Sequence, residues 1–325
     1  MRFRPKEILF SPTGNCNLSC PHCTGVKSKN ILSQNTAKKF LVAGAKAGVN
    51  RVGFTGGEPF LALDFLCGMA VTAVREGFLF DKIMTNAVWY RDESHLASSL
   101  IRLNKTGYDG EICVSVDAFH RQDLKKIVRF IETAQALWRR PDIVSIACVR
   151  GAHEFSTGKK LEGLARLLKG RLVGFDTSHP YIKAGTFFIK IFNIDLSPIG
   201  KASKLKDPWD GRWFKEDYCG GPGNVFFVAP SGDVKPCCGY ANDLAVFTIG
   251  NIRKDSPRQI LKNFRKNRLL CAIFDSGLAG IRERLEKMGV VFPGKTGSHC
   301  YFCHHILTRV PKRTLLKCLD RSISS

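Results

Sequence analysis

Apolar strand-like runs and amphipathic helical stretches take turns along the first two-thirds of the chain, and this alternation restricts the fold more than any other feature. Strands are expected at residues 7–10, 52–55, 82–85, 111–116, 143–149 and 187–194. Between them lie helical stretches at 33–48, 63–76, from about 93, at 124–137 and at 160–168. Ser33 reads as an N-cap and Gly48 as the end of the first helix. Six strand–helix units predict an α/β chain, a partial (β/α)6 barrel open on one side, over residues 1–200. In such barrels the chemistry belongs at the C-terminal ends of the strands. Near 198–210 the composition turns to Lys, Pro, Gly and Asp, which reads as a linker. A different, small α+β module is expected over 211–318, with a strand at 225–228, a turn at 230–233 and a basic helix at 257–270, followed by a tail at 319–325.

A chain of 325 residues with 44% hydrophobic residues can bury a sizeable core. No run of eighteen apolar residues occurs, and no apolar signal region follows the charged start, so a soluble cytoplasmic protein without a membrane partner is expected. The formal charge of +22 favours an anionic or polar substrate. Its plainer reading is a basic surface, since the Lys and Arg residues are spread along the whole chain.

Thirteen cysteines in such a compartment point to metal or catalysis rather than disulfides. They are grouped: Cys16, Cys20 and Cys23 at one end, then Cys219, Cys237 and Cys238, then Cys300 and Cys303. Cys67, Cys113, Cys148 and Cys271 stand singly in apolar or helical surroundings and read as small buried hydrophobes. The first group forms Cys-x3-Cys-x2-Cys within Gly14-Asn15-Cys16-Asn17-Leu18-Ser19-Cys20-Pro21-His22-Cys23. Three thiolates can hold three irons of a cubane and leave the fourth without a protein ligand. Zinc is the main rival, but this loop lacks the paired Cys-x2-Cys modules of structural zinc.

That loop, placed after the first strand, resembles the signature of the radical S-adenosylmethionine superfamily. Thr55-Gly56-Gly57-Glu58-Pro59, at the end of the second strand, resembles the turn with which that family binds the amino group of the cofactor's methionine moiety. Glycines let the backbone approach a ligand, and a carboxylate there can meet an ammonium group. Asn86, closing the third strand, and Ser115 and Asp117, closing the fourth, resemble positions where the family turns polar groups toward the ribose or methionine. Capping of a turn by Asn86 and of a helix by Asp117 stands beside that reading. His120, three residues past Asp117, reads as a surface residue, with a place in the same mouth as its alternative. The resemblance implies a 4Fe–4S cluster, S-adenosylmethionine as cofactor, cleavage to a 5′-deoxyadenosyl radical and hydrogen removal from an unactivated C–H bond. It also implies an electron donor such as flavodoxin or ferredoxin.

Cys219, Gly232 and Cys237 form a Cys…Gly-x4-Cys arrangement that resembles the opening of the SPASM and twitch auxiliary-cluster domains. With Cys300 and Cys303 this implies a second 4Fe–4S cluster held by Cys219, Cys237, Cys300 and Cys303, with Cys238 able to replace Cys237. Cys300, Cys303 and Cys318 also resemble the three-cysteine cluster of molybdenum-cofactor GTP cyclases. A zinc ribbon of the same cysteines, with His299, His304 and His305 nearby, is the structural alternative. A fully ligated second cluster implies an oxidative reaction on a peptide or small metabolite, for which Asp195 at the end of the last barrel strand is a placement-based general base, its plainer reading being a solvated residue before the linker. A redox-neutral epimerase or cyclase reaction is the catalytic alternative. No extra peptide-binding segment precedes Cys16, so a peptide substrate would need the C-terminal module or a separate protein. The segment from Arg253 to Arg268 reads as a phosphate or acidic-peptide site or as a solvated amphipathic helix with Ile260, Leu261, Phe264 and Leu269 inward. A zinc-dependent nucleic-acid-binding protein is the rival from another class. No aromatic–basic recognition motif supports it, so nucleic acid is not expected as a partner.

Overall fold

A computed structural model describes residues 4–25, 27–151, 154–214 and 224–320. Six parallel strands form its centre: β1 (Glu7–Phe10), β2 (Arg51–Phe54), β3 (Leu79–Thr85), β4 (Glu111–Ser115), β5 (Val144–Arg150) and, after a hairpin, β8 (Phe187–Asp195). Helices α1 (Gln34–Lys46), α2 (Leu63–Arg75), α3 (Glu93–Asn104), α4 (Leu124–Trp138) and α5 (Glu154–Leu167) follow the first five strands in turn. Ser33, Asp92 and Asp123 each cap a helix start by accepting from Thr36, His95 and Lys125 backbone N–H groups. Ile8, Phe10, Val52, Phe54, Ile83, Ile112, Val114 and Ile146, all fully buried, belong to the main hydrophobic core. Removing this apolar surface from water holds the layers together.

The partial barrel is present, with two additions. A hairpin, β6 (Arg171–Val173) and β7 (Tyr181–Ala184), precedes β8 and pairs with it antiparallel. Strands of three and four residues are too short for their alternation to stand out in the sequence. At the other edge, β9 (Val225–Val228) pairs parallel with β1, and β10 (Asp233–Lys235) and β11 (Gly250–Asn251) extend it. The sheet thus runs β11-β10-β9-β1-β2-β3-β4-β5-β8-β7-β6 as one surface, so the C-terminal part grows from the barrel's own edge. The stretch expected as a linker is folded: Leu196, Ile199 and Ala202 are buried, Leu196 and Ala202 with Phe119 and Val149. The basic helix divides at Asn267, which ends α6 (Pro257–Lys266) and caps α7 (Arg268–Lys287), itself kinked at Gly277. α8 (His299–Arg309) and α9 (Lys312–Asp320) complete the chain. Among the described residues no helix is long and apolar enough to cross a membrane.

The curvature can be read from one contact. Lys82 on β3 reaches 4.6 Å from the Phe192 ring on β8, across β4 and β5. Strands about 4.8 Å apart allow this only if both side chains stand on the concave face of a curled sheet. Glu7 on β1 also lies beside Lys82, and burial followed by repulsion from Asp81 pushes its carboxyl up to about 7. A carboxyl raised in the folded state favours folding below its unfolded value near 4.5 and loses that advantage as pH rises through 7. Glu7→Gln is therefore expected to stabilise the protein at pH 8 by about 1–3 kcal/mol and to be neutral at pH 4. Urea midpoints at the two pH values check this.

Candidate functional site

The cysteine loop and the glycine turn are joined by main-chain hydrogen bonds. Gly57 N donates to Thr13 O (2.9 Å) and Glu58 N to Asn15 O (2.8 Å). A Cβ on Gly57 would stand 2.1 Å from Asn15 O, and Gly56 has φ +130°. Both positions therefore require glycine. Gly57→Ala is expected to push the cysteine loop off the turn, at a cost of roughly 1–3 kcal/mol. A lowered thermal midpoint together with reduced iron retention would register it.

Glu58 differs from the expectation. Its carboxylate is fully buried and turned into the protein, accepting from Phe60 N, Thr85 Oγ1 and Asn86 N at 2.8–3.1 Å. Burial pushes it up to about 7 against the pull of those donors. It braces the turn from beneath, which leaves main-chain groups of Gly56 and Gly57 at the surface of the turn. Pro59 opens the short 3-10 turn over Pro59–Ala62 behind it. Asn86 ties β3 to the cysteine loop, its Nδ2 donating to Asn17 Oδ1 (2.8 Å) and lying 3.7 Å from Cys16 Sγ.

Cys16, Cys20 and Cys23 are half-buried and close enough for their charges to act on one another. Burial and the neighbouring sulfurs push the Cys20 thiol up to about 11, so a thiolate at Cys20 needs a cationic partner. Among the described residues, ligand atoms of three His, Cys, Asp or Glu side chains converge within 4.8 Å of one another only at His22, Asp117 and His120.

Asp117 is fully buried, and its Oδ1 accepts from Phe119 N, His120 N and His120 Nδ1, its Oδ2 from Val149 N. His120 is not a surface residue: its ring lies 2.8 Å from Asp117 and 4.7 Å, centroid to centroid, from His22. The imidazole of His22, pushed down to about 4 chiefly by burial, is neutral, and its Nδ1 is buried without a hydrogen-bond partner among the described residues. That orphaned atom, between two cysteines, suits a ligand-lined site. Ser115 keeps its carbonyl on Gln122 Nε2, which also donates to Asn86 O. Lys160 on α5 donates to Asp117 O (2.8 Å) and Gln122 Oε1 (3.1 Å). Its charge acts on Cys20. Sequence reading missed Gln122 and Lys160, because neither lies in a motif and each matters only through strand ends that the fold brings together.

In the C-terminal part, Cys237, Cys300, Cys303 and His299 line one otherwise apolar cavity with Ala241, Phe247, Ile273 and Leu278. Gly239 N donates to Cys237 Sγ at 3.1 Å. A Cβ on Gly239 would stand 3.0 Å from Cys300 Sγ and 3.2 Å from Cys237 Sγ. Cys300 occupies the first turn of α8, whose N-terminal dipole favours thiolate charge. Cys219 lies outside the described residues. Cys238 is exposed, and Cys318, buried in α9, directs its thiol at Ile281 O. Cys113 and Cys148 are buried as expected, whereas Cys67 and Cys271 are half-buried. Tyr240 stands between the two regions. Its phenol is pushed up to about 12 by burial and then by Cys300, Cys238, Asp117 and Asp195. Asp195 is exposed at the end of β8, in register with Arg150.

Residues 219–280 match the SPASM family, an iron–sulfur cluster-binding domain. The GTP 3′,8-cyclase of Limosilactobacillus fermentum is 27% identical over 162 residues, 45% of this chain and 47% of that one. The probable GTP 3′,8-cyclase of Methanosarcina mazei is 26% identical over 183 residues, 51% and 52% of the two chains. The chain thus spans about half the length of the curated relatives it matches. Native anSMEcpe with bound AdoMet has the same fold, with a TM-score of 0.55 at 16% identity over 98% of this chain and 100% of that one. Fold, cysteine loop and domain match make the chain similar to the radical S-adenosylmethionine enzymes, with a SPASM-type C-terminal domain. The class works with S-adenosylmethionine and 4Fe–4S clusters, an auxiliary cluster included.

Proposed function

We propose that Cys16, Cys20 and Cys23 hold a 4Fe–4S cluster with one open iron, and that Cys237, Cys300 and Cys303, with Cys219 as fourth ligand, hold an auxiliary one. When bound, the first cluster and S-adenosylmethionine supply a 5′-deoxyadenosyl radical able to remove hydrogen from an unactivated C–H bond. Gly56 and Gly57 offer main-chain acceptors to the cofactor's ammonium group, with Glu58 and Pro59 shaping the turn. Asn86, Ser115 and Asp117 fix the strand ends around it. The substrate is a polar or anionic molecule, a peptide in the favoured case, oxidised with its electron passing to the auxiliary cluster and its proton to Asp195. A flavodoxin or ferredoxin supplies the starting electron.

The observation that carries this reading is the joining of the cysteine loop to the glycine turn by main-chain hydrogen bonds. The related structure of anSMEcpe with AdoMet and the Cp18Cys peptide, TM-score 0.54 at 15% identity over 98% of this chain and 100% of that one, shares the fold and favours a peptide. A GTP-cyclase-like cluster of Cys300, Cys303 and Cys318 finds no support, since Cys318 turns to Ile281 O and is absent from the cavity lining. The test is anaerobic incubation of reduced protein with S-adenosylmethionine and analysis for 5′-deoxyadenosine. Its formation supports the reading, and its absence from protein loaded with both clusters rejects it.

A further inference from the structure

The three-strand extension at the barrel's open side has two unlike faces. Opposed residues of an antiparallel ladder share a face. The registers Arg171↔Lys183, Tyr181↔Lys190 and Lys183↔Phe188 therefore collect Arg171, Tyr181, Lys183, Phe188 and Lys190 on one side, and Phe192 continues it along β8. On the other side Ile182, Ala184, Ile189 and Ile191 are buried. Phe188 is 49% and Phe192 40% exposed. The pairing Ala147↔Phe192 and the reach of Lys82 to Phe192 make this surface continuous with the concave wall of the barrel, and β8 ends at Asp195.

Three cations and three aromatic rings make up this face. The nearby carboxylates are already engaged, Glu111 by Lys82 at 3.6 Å and Asp142 by Arg140 at 3.1 Å, with Lys190 also acting on Asp142. Two of the three rings carry a cation: Lys82 stands over Phe192 at 4.6 Å and Lys183 over Phe188 at 5.4 Å. Among the described residues β6 is the last strand of the sheet and pairs on one side only.

We propose that this face docks an extended acidic peptide, its carboxylates on Arg171, Lys183 and Lys190 and its main chain along the free edge of β6. Lysine-capped rings favour a peptide over single-stranded nucleic acid, whose bases need uncovered ring faces to stack. A free strand edge gives an extended peptide a ladder to join, and the cations choose an acidic one. The inference deepens the peptide reading above and rests on it for the identity of the substrate, while the docking itself needs no cofactor.

The test uses the full chain with its clusters and a fluorescein-labelled oligoglutamate of about fifteen residues, with an oligo-dT of similar length as comparison, at about 0.1 M salt. R171E/K183E/K190E is expected to weaken oligoglutamate binding by about tenfold or more, whereas R258E/K262E/R265E on α6 changes it less than about twofold. The charge-neutral K183Q/K190Q pair gives an intermediate loss and guards against misfolding of the triple variant. Equal losses from both triple variants would overturn the proposal, as would oligo-dT that binds more tightly and is released by the β6–β8 reversal. Formation of 5′-deoxyadenosine should persist in R171E/K183E/K190E, which separates failure of docking from failure of the radical chemistry.

Discussion

Cys20→Ala is expected to leave a folded protein with about half its iron and no turnover of S-adenosylmethionine. Cys20 is the middle cysteine of the loop, is half-buried, and contributes nothing to the hydrophobic core, so far-UV circular dichroism should be unchanged. Loss of one of three sulfurs leaves two on a cubane whose fourth corner has to stay free for the cofactor, and such a cluster is not retained. Iron should fall from about eight to about four per chain, with 5′-deoxyadenosine at the level of a protein-free control. A variant that keeps eight irons and still cleaves the cofactor would remove Cys20 from the site.

Cys300→Ala is expected to act in the opposite sense. The auxiliary cluster should be lost, iron should again fall to about four per chain, and 5′-deoxyadenosine should still form. What disappears is the oxidised product, because the substrate's second electron has no acceptor. The cavity holding Cys237, Cys300 and Cys303 is apolar, so an empty site left by the variant costs stability as well as iron. A smaller effect of the same kind follows from Gly239→Ala, whose Cβ would crowd Cys300 Sγ at 3.0 Å. Should Cys300→Ala abolish cleavage of S-adenosylmethionine while leaving iron unchanged, the two cysteine groups would have to exchange roles.

The fold was largely legible because its information is local. Alternation in β1 to β5 and Ser33 ahead of α1 each show within a few residues. The glycines of the turn were legible too, since a Cβ at either position collides with the cysteine loop. The inward turn of Glu58 was not legible because a sequence shows that a carboxylate follows two glycines but not that Thr85 and Asn86, a strand away, will hold it there. His120 was misjudged for a related reason. Its partner Asp117 lies only three residues off, but the neighbours that bury the pair, His22 and Val149, come from distant parts of the chain. The hairpin of β6 and β7 was missed because three- and four-residue strands carry little periodicity. The merging of β9 with β1 depends on a long-range pairing that nothing in either strand announces.

The most direct test is electron paramagnetic resonance of the anaerobically purified, dithionite-reduced protein with and without S-adenosylmethionine, alongside quantification of iron, sulfide and zinc. Two 4Fe–4S signals are expected, of which the one absent from Cys20→Ala shifts when the cofactor is added, while the one absent from Cys300→Ala does not. Protein that carries zinc in place of iron, or whose cluster signals are indifferent to S-adenosylmethionine, would contradict an open-cornered cluster at Cys16, Cys20 and Cys23.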